Sequence, residues 1–175
     1  MKTLAMILAL TLAAGAARAE LRQFSYDAAN EETIASSGPV TLLVSQSMFG
    51  THLVKISSTV AKATADLRRE DAGALGRGGW QEATDGVERD LYRILPADEG
   101  ADFTSALCPG SKQAWLALTP VKYGRNVRMV VIGDDPAGGG VRRCRTLEFQ
   151  FHGEWRLPQG NPPATEDNAP PSFPN

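Results

Sequence analysis

Apolar side chains between residues 20 and 157 recur mainly with a period of two, and this period limits the possible folds more than any other feature. In the segment 60–68, alanine and leucine at the odd positions after Val60 alternate with polar or charged residues at positions 62, 64, 66 and 68. Successive side chains of a β-strand point to opposite faces, so the alternation predicts a half-buried strand. In residues 142–151 the same spacing places Arg143, Arg145 and Leu147 on one face of a later strand, with Phe149 and Phe151.

The remaining patterns add further strands and few helices. Strands are predicted over residues 40–48, 52–57, 113–122 and 126–133, and residues 90–95 favour a strand over a helix. Helices are predicted over residues 28–36, with Asp27 as the cap, and over residues 98–107. Strands that succeed one another without regular helical crossovers indicate an α+β domain over residues 20–157. The predicted fold is a mostly antiparallel sheet of six or seven strands, two short helices and one disulfide.

The N-terminal residues have the pattern of a secretory signal peptide. Lys2 precedes an apolar run at residues 4–12, and Ala17 and Ala19 supply the small residues before a cleavage site. Cleavage is therefore predicted between Ala19 and Glu20, giving a periplasmic or secreted protein. The apolar run is shorter than the about 20 residues needed to span a membrane, so no transmembrane segment is predicted in the mature chain.

Export determines how Cys108 and Cys144, the only two cysteines, are interpreted. An oxidising compartment favours pairing them, so the sequence predicts a Cys108–Cys144 disulfide. The alternative is a pair of buried free thiols. A C-x-x-C redox motif is absent, and two cysteines without a neighbouring histidine make a poor zinc site. Residues 158–175 contain six prolines and are predicted to be a disordered tail.

The sequence contains few signs of catalysis. Its two histidines, His52 and His152, are far apart in the sequence, and a G-x-S-x-G motif is absent. No metal or other cofactor is predicted, and the protein is not expected to be an enzyme. Carboxylates are so frequent in residues 20–111 that a pair capable of hydrolysis stays open as an alternative. The tryptophans Trp80, Trp115 and Trp155 are assigned to the core or to a ligand pocket, with Trp80 expected to be the most exposed.

Charge is divided unequally along the chain. The whole sequence has a net charge of −2, which disfavours nucleic-acid binding. Residues 20–111 contain eight basic and fourteen acidic residues, whereas residues 112–156 contain eight basic and four acidic ones. The basic excess in residues 112–156, which we call the basic block, predicts that a basic face of the C-terminal sheet binds an anionic partner in the cell envelope. The candidate ligand-binding residues are Arg128, Arg142, Arg143 and Arg145.

Two other interpretations remain open. The basic block can instead neutralise the acidic half within the fold. Among functions, the alternatives to a binding module are a hydrolase that uses carboxylates and a carrier of small apolar ligands. The sequence does not define an oligomeric state.

Overall fold

Eight antiparallel strands follow one another around a closed barrel in the computed structural model, which describes residues 20–48 and 50–155. Each strand pairs with the next, and the first pairs with the last. The strands are β1 (Glu20–Ala28), β2 (Val40–Ser47), β3 (Gly50–Ser58), β4 (Ala63–Glu70), β5 (Asp90–Ile94), β6 (Ala114–Leu118), β7 (Val127–Asp134) and β8 (Val141–Trp155). The helices are α1 (Glu31–Ser36), α2 (Gly79–Ala83) and α3 (Gly100–Leu107), and one 3₁₀ turn covers Ala72–Leu75.

The predicted α+β fold with six or seven strands is therefore wrong, chiefly because the sequence analysis does not predict β1. It assigns Asp27 and Ala28 to the start of a helix, but both lie in β1. The helix begins only at Glu31, where the side-chain oxygen of Asn30 accepts a hydrogen bond from the Thr33 N–H at 2.8 Å. β1 pairs with both β2 and β8, so the strand that the prediction lacks is the one that closes the barrel.

The interior of the barrel is filled by apolar side chains. An eight-stranded barrel has an interior about as wide as the side chains that can fill it. The inward positions alternate along each strand, as in Phe24 and Tyr26 of β1, which are 2% and 1% exposed. The main members of this cluster are Val40, Leu42, Val44, Ile56, Leu116, Leu118, Met129, Leu147 and Phe149.

Helix α3 packs onto this interior cluster at one end of the barrel, which we call the capped end. Its apolar side chains Phe103 and Leu107 are buried with the barrel interior. α3 contacts β4, where the inward residues Ala63 and Ala65 are small. The opposite end, where β1 begins and β8 ends, is called the rim end.

A disulfide fixes α3 to the barrel wall. Cys108, directly after α3, is bonded to Cys144 of β8, with a Cα–Cα distance of 5.3 Å. The predicted Cys108–Cys144 disulfide is confirmed. It joins the capped end to the longest strand of the barrel.

The connection between β4 and β5 forms a second layer outside the barrel. Its residues Leu75 and Ala83 pack on outward side chains of the wall, including Leu91, Trp115 and Ile132. A strand that is buried on both faces has a continuous run of apolar residues in its sequence. In Ala114–Leu118 of β6 every residue is apolar and buried. This layer brings acidic residues of the N-terminal half against the basic strands of the C-terminal half.

A bulge in β8 separates two of the arginines that the sequence analysis places on one face. Val131 of β7 pairs with Arg145, whereas the next residue, Ile132, pairs with Arg143. An extra residue in one strand reverses the facing of the side chains beyond it. Arg145 therefore faces the same side as Leu147, and Arg143 faces the outer layer. The prediction that Arg143 shares the face of Arg145 and Leu147 is wrong.

Candidate functional site

Arg128 and Arg143 lie on the outer wall and bind acidic residues of the connection between β4 and β5. Arg143 donates to Asp85 at 2.8 Å and to the Ala83 carbonyl at 2.7 Å. Arg128 donates to Glu88 at 2.9 Å and also forms an ion pair with Asp85. Two arginines and two carboxylates thus form one neutral cluster, which holds the outer layer on the barrel.

Glu88 is the buried member of this cluster. Its residue surface is 1% exposed, and its second carboxylate oxygen accepts the Asp85 N–H at 3.2 Å. A buried charge is stable only when it is paired and hydrogen-bonded, and Arg128 is the cation that pairs with it. Sequence reasoning does not identify Glu88, because a single glutamate in the segment Asp85-Gly86-Val87-Glu88 resembles any exposed turn residue.

Arginine contacts also change the acidity of Asp85. Hydrogen bonds from Arg143 and Arg128 lower the pKa of Asp85 to about 2. The same contact with Asp85 raises the pKa of Arg128 above its usual value. Both shifts favour the charged forms, so the cluster remains an ion-pair network at neutral pH.

The stability of the fold is therefore expected to depend on Asp85 at acid pH. The folded-state pKa lies below the ordinary value of about 3.9, so this contribution is complete above about pH 5 and disappears as the pH falls towards 2. Asp85→Asn should lower the free energy of unfolding at pH 6 and leave it nearly unchanged at pH 2. Urea denaturation across this range measures the difference.

The matched control for this prediction is Asp71→Asn, which alters an exposed acid of the same connection. The free energy of unfolding of this variant should follow that of the unaltered protein, with a constant difference, from pH 6 to pH 2. A constant gap between the Asp85→Asn variant and the unaltered protein at every pH would contradict the assignment.

Arg142 and Arg145 lie at the capped end and bind backbone carbonyls instead of carboxylates. Arg142 donates to the Pro109 carbonyl at 2.6 Å, and Arg145 donates to the Leu107 carbonyl at 3.1 Å. The last carbonyls of a helix have no partner within the helix, and cations are favourable there. These two arginines thus complete the C-terminal end of α3. The four candidate arginines form two groups with different partners instead of one shared binding face.

A different set of cations lies at the rim end without carboxylate partners among the described residues. Lys122 and Arg125 are exposed in the loop between β6 and β7. The Arg89 side chain is exposed beside that loop, and the Arg89 backbone N–H donates to the Leu118 carbonyl at 2.8 Å. The Arg89 guanidinium donates only to the carbonyls of Gly86 and Glu88 in the contacts of the described chain. We call Arg89, Lys122 and Arg125 the rim cations.

Large apolar side chains are also exposed at this end. Tyr123 lies between Lys122 and Arg125 in the chain and is 64% exposed, and Trp155 at the end of β8 is 61% exposed. Of the seven large apolar residues exposed in the described chain, five belong to the rim end. They are Leu21, Met48, Val87, Tyr123 and Trp155, which we call the rim apolar residues. Trp80 is half-buried, so the prediction that it is the most exposed tryptophan is wrong.

Tyr123 is supported from below by side chains of the barrel end. Its ring lies 5.3 Å from the ring of Phe151 and 6.4 Å from that of Phe24, in edge-to-face geometry. The Arg22 guanidinium lies 5.9 Å from the centre of the Tyr123 ring. It donates two hydrogen bonds to the Glu154 carboxylate, one of them 2.7 Å long, and this pair neutralises its charge. Tyr123 is therefore held in place although most of its surface is exposed.

The carboxylates of the outer wall lack the protonation pattern of a hydrolytic site. Depressions of about 590 and 670 Å³ lie on either side of Glu70. Burial alone would raise the pKa of Glu70, but hydrogen bonds from Arg68 and Trp115 outweigh it and lower the pKa. Hydrolysis by a carboxylate pair needs one acid that stays protonated. The two carboxyl groups with shifted pKa values in the described chain, Glu70 and Asp85, are both shifted towards the ionised form.

Neither histidine lies in a group with metal-binding geometry. His52 Nδ1 lies 3.2 Å from Arg69, and His152 Nδ1 lies 2.8 Å from Asp27. Within residues 20–48 and 50–155, no group of three or more His, Cys, Asp and Glu side chains is arranged to hold a metal ion. In the same residues no helix is long and apolar enough to cross a membrane.

Comparison with known proteins gives no match to a family model, to a curated protein or to a solved structure. The fold and the geometry of its surface are consequently the basis for assigning a function. That geometry defines a class of protein, a small closed barrel of eight consecutive antiparallel strands with a filled interior. A disulfide-linked helix caps one end of the barrel, and the other end exposes cations and apolar side chains to solvent.

Proposed function

We propose that this chain is an exported binding module of the cell envelope, without catalytic activity, that recognises an anionic partner at its rim end. The observation that carries the proposal is the presence of three exposed rim cations without carboxylate partners in the described chain, at one end of the barrel. Arg128 and Arg143 are neutralised by Asp85 and Glu88, so they are poorer candidates for an external anion.

The filled interior favours a surface role over that of an apolar-ligand carrier. The side chains that face the axis of the barrel form one buried cluster, with Phe103 and Leu107 of α3 packed onto it. A carrier of eight strands holds its ligand in that space. The outer carboxylates likewise favour a binding module over a hydrolase, because their arginine contacts keep them ionised.

Export is supported by two observations. A disulfide is present between Cys108 and Cys144, and no membrane-crossing helix occurs in the described residues; both are compatible with an exported protein. The predicted cleavage site, the signal peptide at residues 1–19 and the tail at residues 158–175 lie outside the described residues. The proposal includes cleavage between Ala19 and Glu20.

Processing has a direct test. When the full chain is expressed with its own N-terminus, intact-mass measurement of protein from the envelope or medium should give a chain that begins at Glu20. A chain that retains Met1 would contradict the proposed processing and, with it, the argument that the disulfide forms in an oxidising compartment.

Binding at the rim is tested with a soluble polyanion. Dextran sulfate should bind the protein at low salt and bind much more weakly at high salt, because screening shortens to about 8 Å at physiological ionic strength. Lys122→Gln with Arg125→Gln should weaken the affinity roughly thirtyfold, since each of the two cations near an anionic surface contributes about 1 kcal/mol. Isothermal titration at two salt concentrations measures both effects.

The matched control removes the same charge at the other end of the barrel. Arg142→Gln with Arg145→Gln should leave the dissociation constant within about twofold of that of the unaltered protein. Both guanidinium groups already donate to backbone carbonyls at and just after the C-terminal end of α3. Loss of binding only in this second variant would move the site to the arginines predicted from the sequence. Absence of binding by the unaltered protein at low salt would overturn the proposed function.

A further inference from the structure

We infer that the rim end is a docking surface for the anionic surface of a lipid bilayer, into which the rim apolar residues insert. This inference rests on the proposed function, because it names the partner class of the same surface. Its starting point is that cations and apolar groups are exposed together at the rim end. A soluble polyanion accounts for the cations but leaves the exposed apolar groups without a partner.

Exposed apolar residues are concentrated at the rim end. Single exposed apolar residues are normal on a protein surface, whereas a concentration of them indicates an interaction site. Five of the seven in the described chain lie at the rim end, and only Ile34 and Val60 lie elsewhere. The most exposed is Met48 at 79%, in the turn between β2 and β3.

The residue types at the rim end suit the surface of a bilayer. Tryptophan and tyrosine prefer the boundary between water and hydrocarbon, since each has an apolar ring and a polar hydrogen-bonding atom. Lysine and arginine next to them are attracted to anionic headgroups, and their apolar stems can lie along the membrane surface. At the rim end Tyr123 is flanked in sequence by Lys122 and, two residues on, by Arg125. This combination fits an interfacial surface better than it fits a sugar polymer.

The cations of the rim end favour an anionic surface as the partner. Among the acids of this end, Glu154 pairs with Arg22, and Asp90 pairs with Arg69 at 2.6 Å. Three further acids, Glu20, Asp71 and Glu148, are exposed at this end and form no salt bridge with the described residues. Cleavage before Glu20 would add an α-amino group beside one of these acids. The three rim cations lie on or directly beside the loop that exposes Tyr123, in a chain whose total charge is negative, and they orient this part of the rim end towards an anionic surface.

The barrel presents this surface in one fixed arrangement. β1 and β8 pair through Gln23 and Trp155, and the Tyr123 ring packs on Phe151 and Phe24. Binding consequently requires little ordering of the chain, which lowers the entropic cost of association.

The experiment uses the exported full-length chain and two kinds of vesicle. Vesicles of phosphatidylcholine containing about one third phosphatidylglycerol should sediment the protein at low salt, and vesicles of phosphatidylcholine alone should not. The tryptophan emission should shift to shorter wavelength on binding, because Trp155 moves from water into the interface. Met48→Gln with Trp155→Gln should weaken sedimentation at least tenfold while its circular dichroism spectrum stays unchanged, since both side chains are solvent-exposed.

The matched control is Ile34→Gln with Val60→Gln, which removes the two exposed large apolar side chains that lie at the opposite end in the described chain. It should bind vesicles within about twofold of the unaltered protein. Equal binding by the rim variant and by this control would overturn the inference.

Other occupants of the rim end give different results. If dextran sulfate binds through Lys122 and Arg125 but vesicles do not sediment the protein, the proposed function stands and the bilayer inference fails. If neither probe binds, both fail. A concentration-dependent dimer in light scattering that the Met48→Gln, Trp155→Gln variant abolishes would identify the surface as a contact between copies, and would likewise overturn the inference.

Discussion

Replacing Cys108 and Cys144 with alanine is expected to lower the free energy of unfolding by about 2–5 kcal/mol. The bond closes a loop between residues that are 36 positions apart, and this loop contains all of β6 and β7. Opening the bond increases the conformational freedom of the unfolded chain, and loops of this size give an effect near the middle of that range.

The native state also loses a constraint in this variant. α3 is only eight residues long, so its packing on the barrel stabilises it more than its own hydrogen bonds do. Phe103 and Leu107 hold it at the capped end from one side, and the disulfide holds its C-terminal end to β8. Hydrogen exchange should therefore increase in α3 before it increases in the strands.

Urea denaturation with and without reductant measures the effect of the bond itself. The unaltered protein should lose stability when dithiothreitol is added, and the double alanine variant should not change. The same midpoint for the unaltered protein under both conditions, with the thiols shown to be reduced, would contradict the assigned contribution of the disulfide.

Local patterns of the sequence predict most strands well, because a half-buried strand alternates in hydrophobicity. The strands over Val40–Ser47, Val127–Asp134 and Val141–Trp155 agree with the predicted ranges to within a few residues. The sequence analysis misses β1 for an equally local reason. Asp27 is a residue type that commonly caps helices, and only the long-range pairing of β1 with β8 shows that it continues a strand.

Closure of the sheet is the part of the fold that local patterns cannot supply. Whether a sheet of antiparallel strands stays open or closes depends on the first strand meeting the last, at a separation of more than one hundred residues. Local periodicity is the same in both cases. The α+β prediction therefore counts strands nearly correctly and still gives the wrong architecture.

The arrangement of charged groups was only partly predictable. The sequence shows that the C-terminal block is basic, and the interpretation in which the acidic half neutralises it applies to Arg128 and Arg143. Their partners Asp85 and Glu88 could not be identified, because the second layer outside the barrel has no signal of its own. The facing of Arg143 depends on the bulge opposite Val131 and Ile132, and periodicity alone cannot place a bulge.

Replacing Arg128 with methionine is expected to lower the free energy of unfolding by about 3 kcal/mol, because it leaves the Glu88 carboxylate buried without a cation. Glu88 has no exposed side-chain surface, and its remaining hydrogen bond comes from the Asp85 N–H. Methionine preserves the apolar stem of arginine, so the change removes the charge with little loss of packing.

Arg125→Met is the matched control, since Arg125 is exposed, carries the same charge and lies three residues away. Its effect should stay within about 0.5 kcal/mol, as is usual for an exposed surface substitution. Urea denaturation of both variants at neutral pH compares a paired arginine with an unpaired one in the same region of the barrel.

A double-mutant cycle shows whether the loss comes from the unpaired carboxylate. Glu88→Met removes the buried charge, and combining it with Arg128→Met should recover stability relative to Arg128→Met alone, because an apolar pair no longer requires burial of an unpaired ion. If the two substitutions are instead additive, Arg128 and Glu88 contribute independently and the ion pair does not hold the outer layer. Coupling would mean that Arg128 is already engaged within the fold, which leaves the rim cations as the groups available to an external anion.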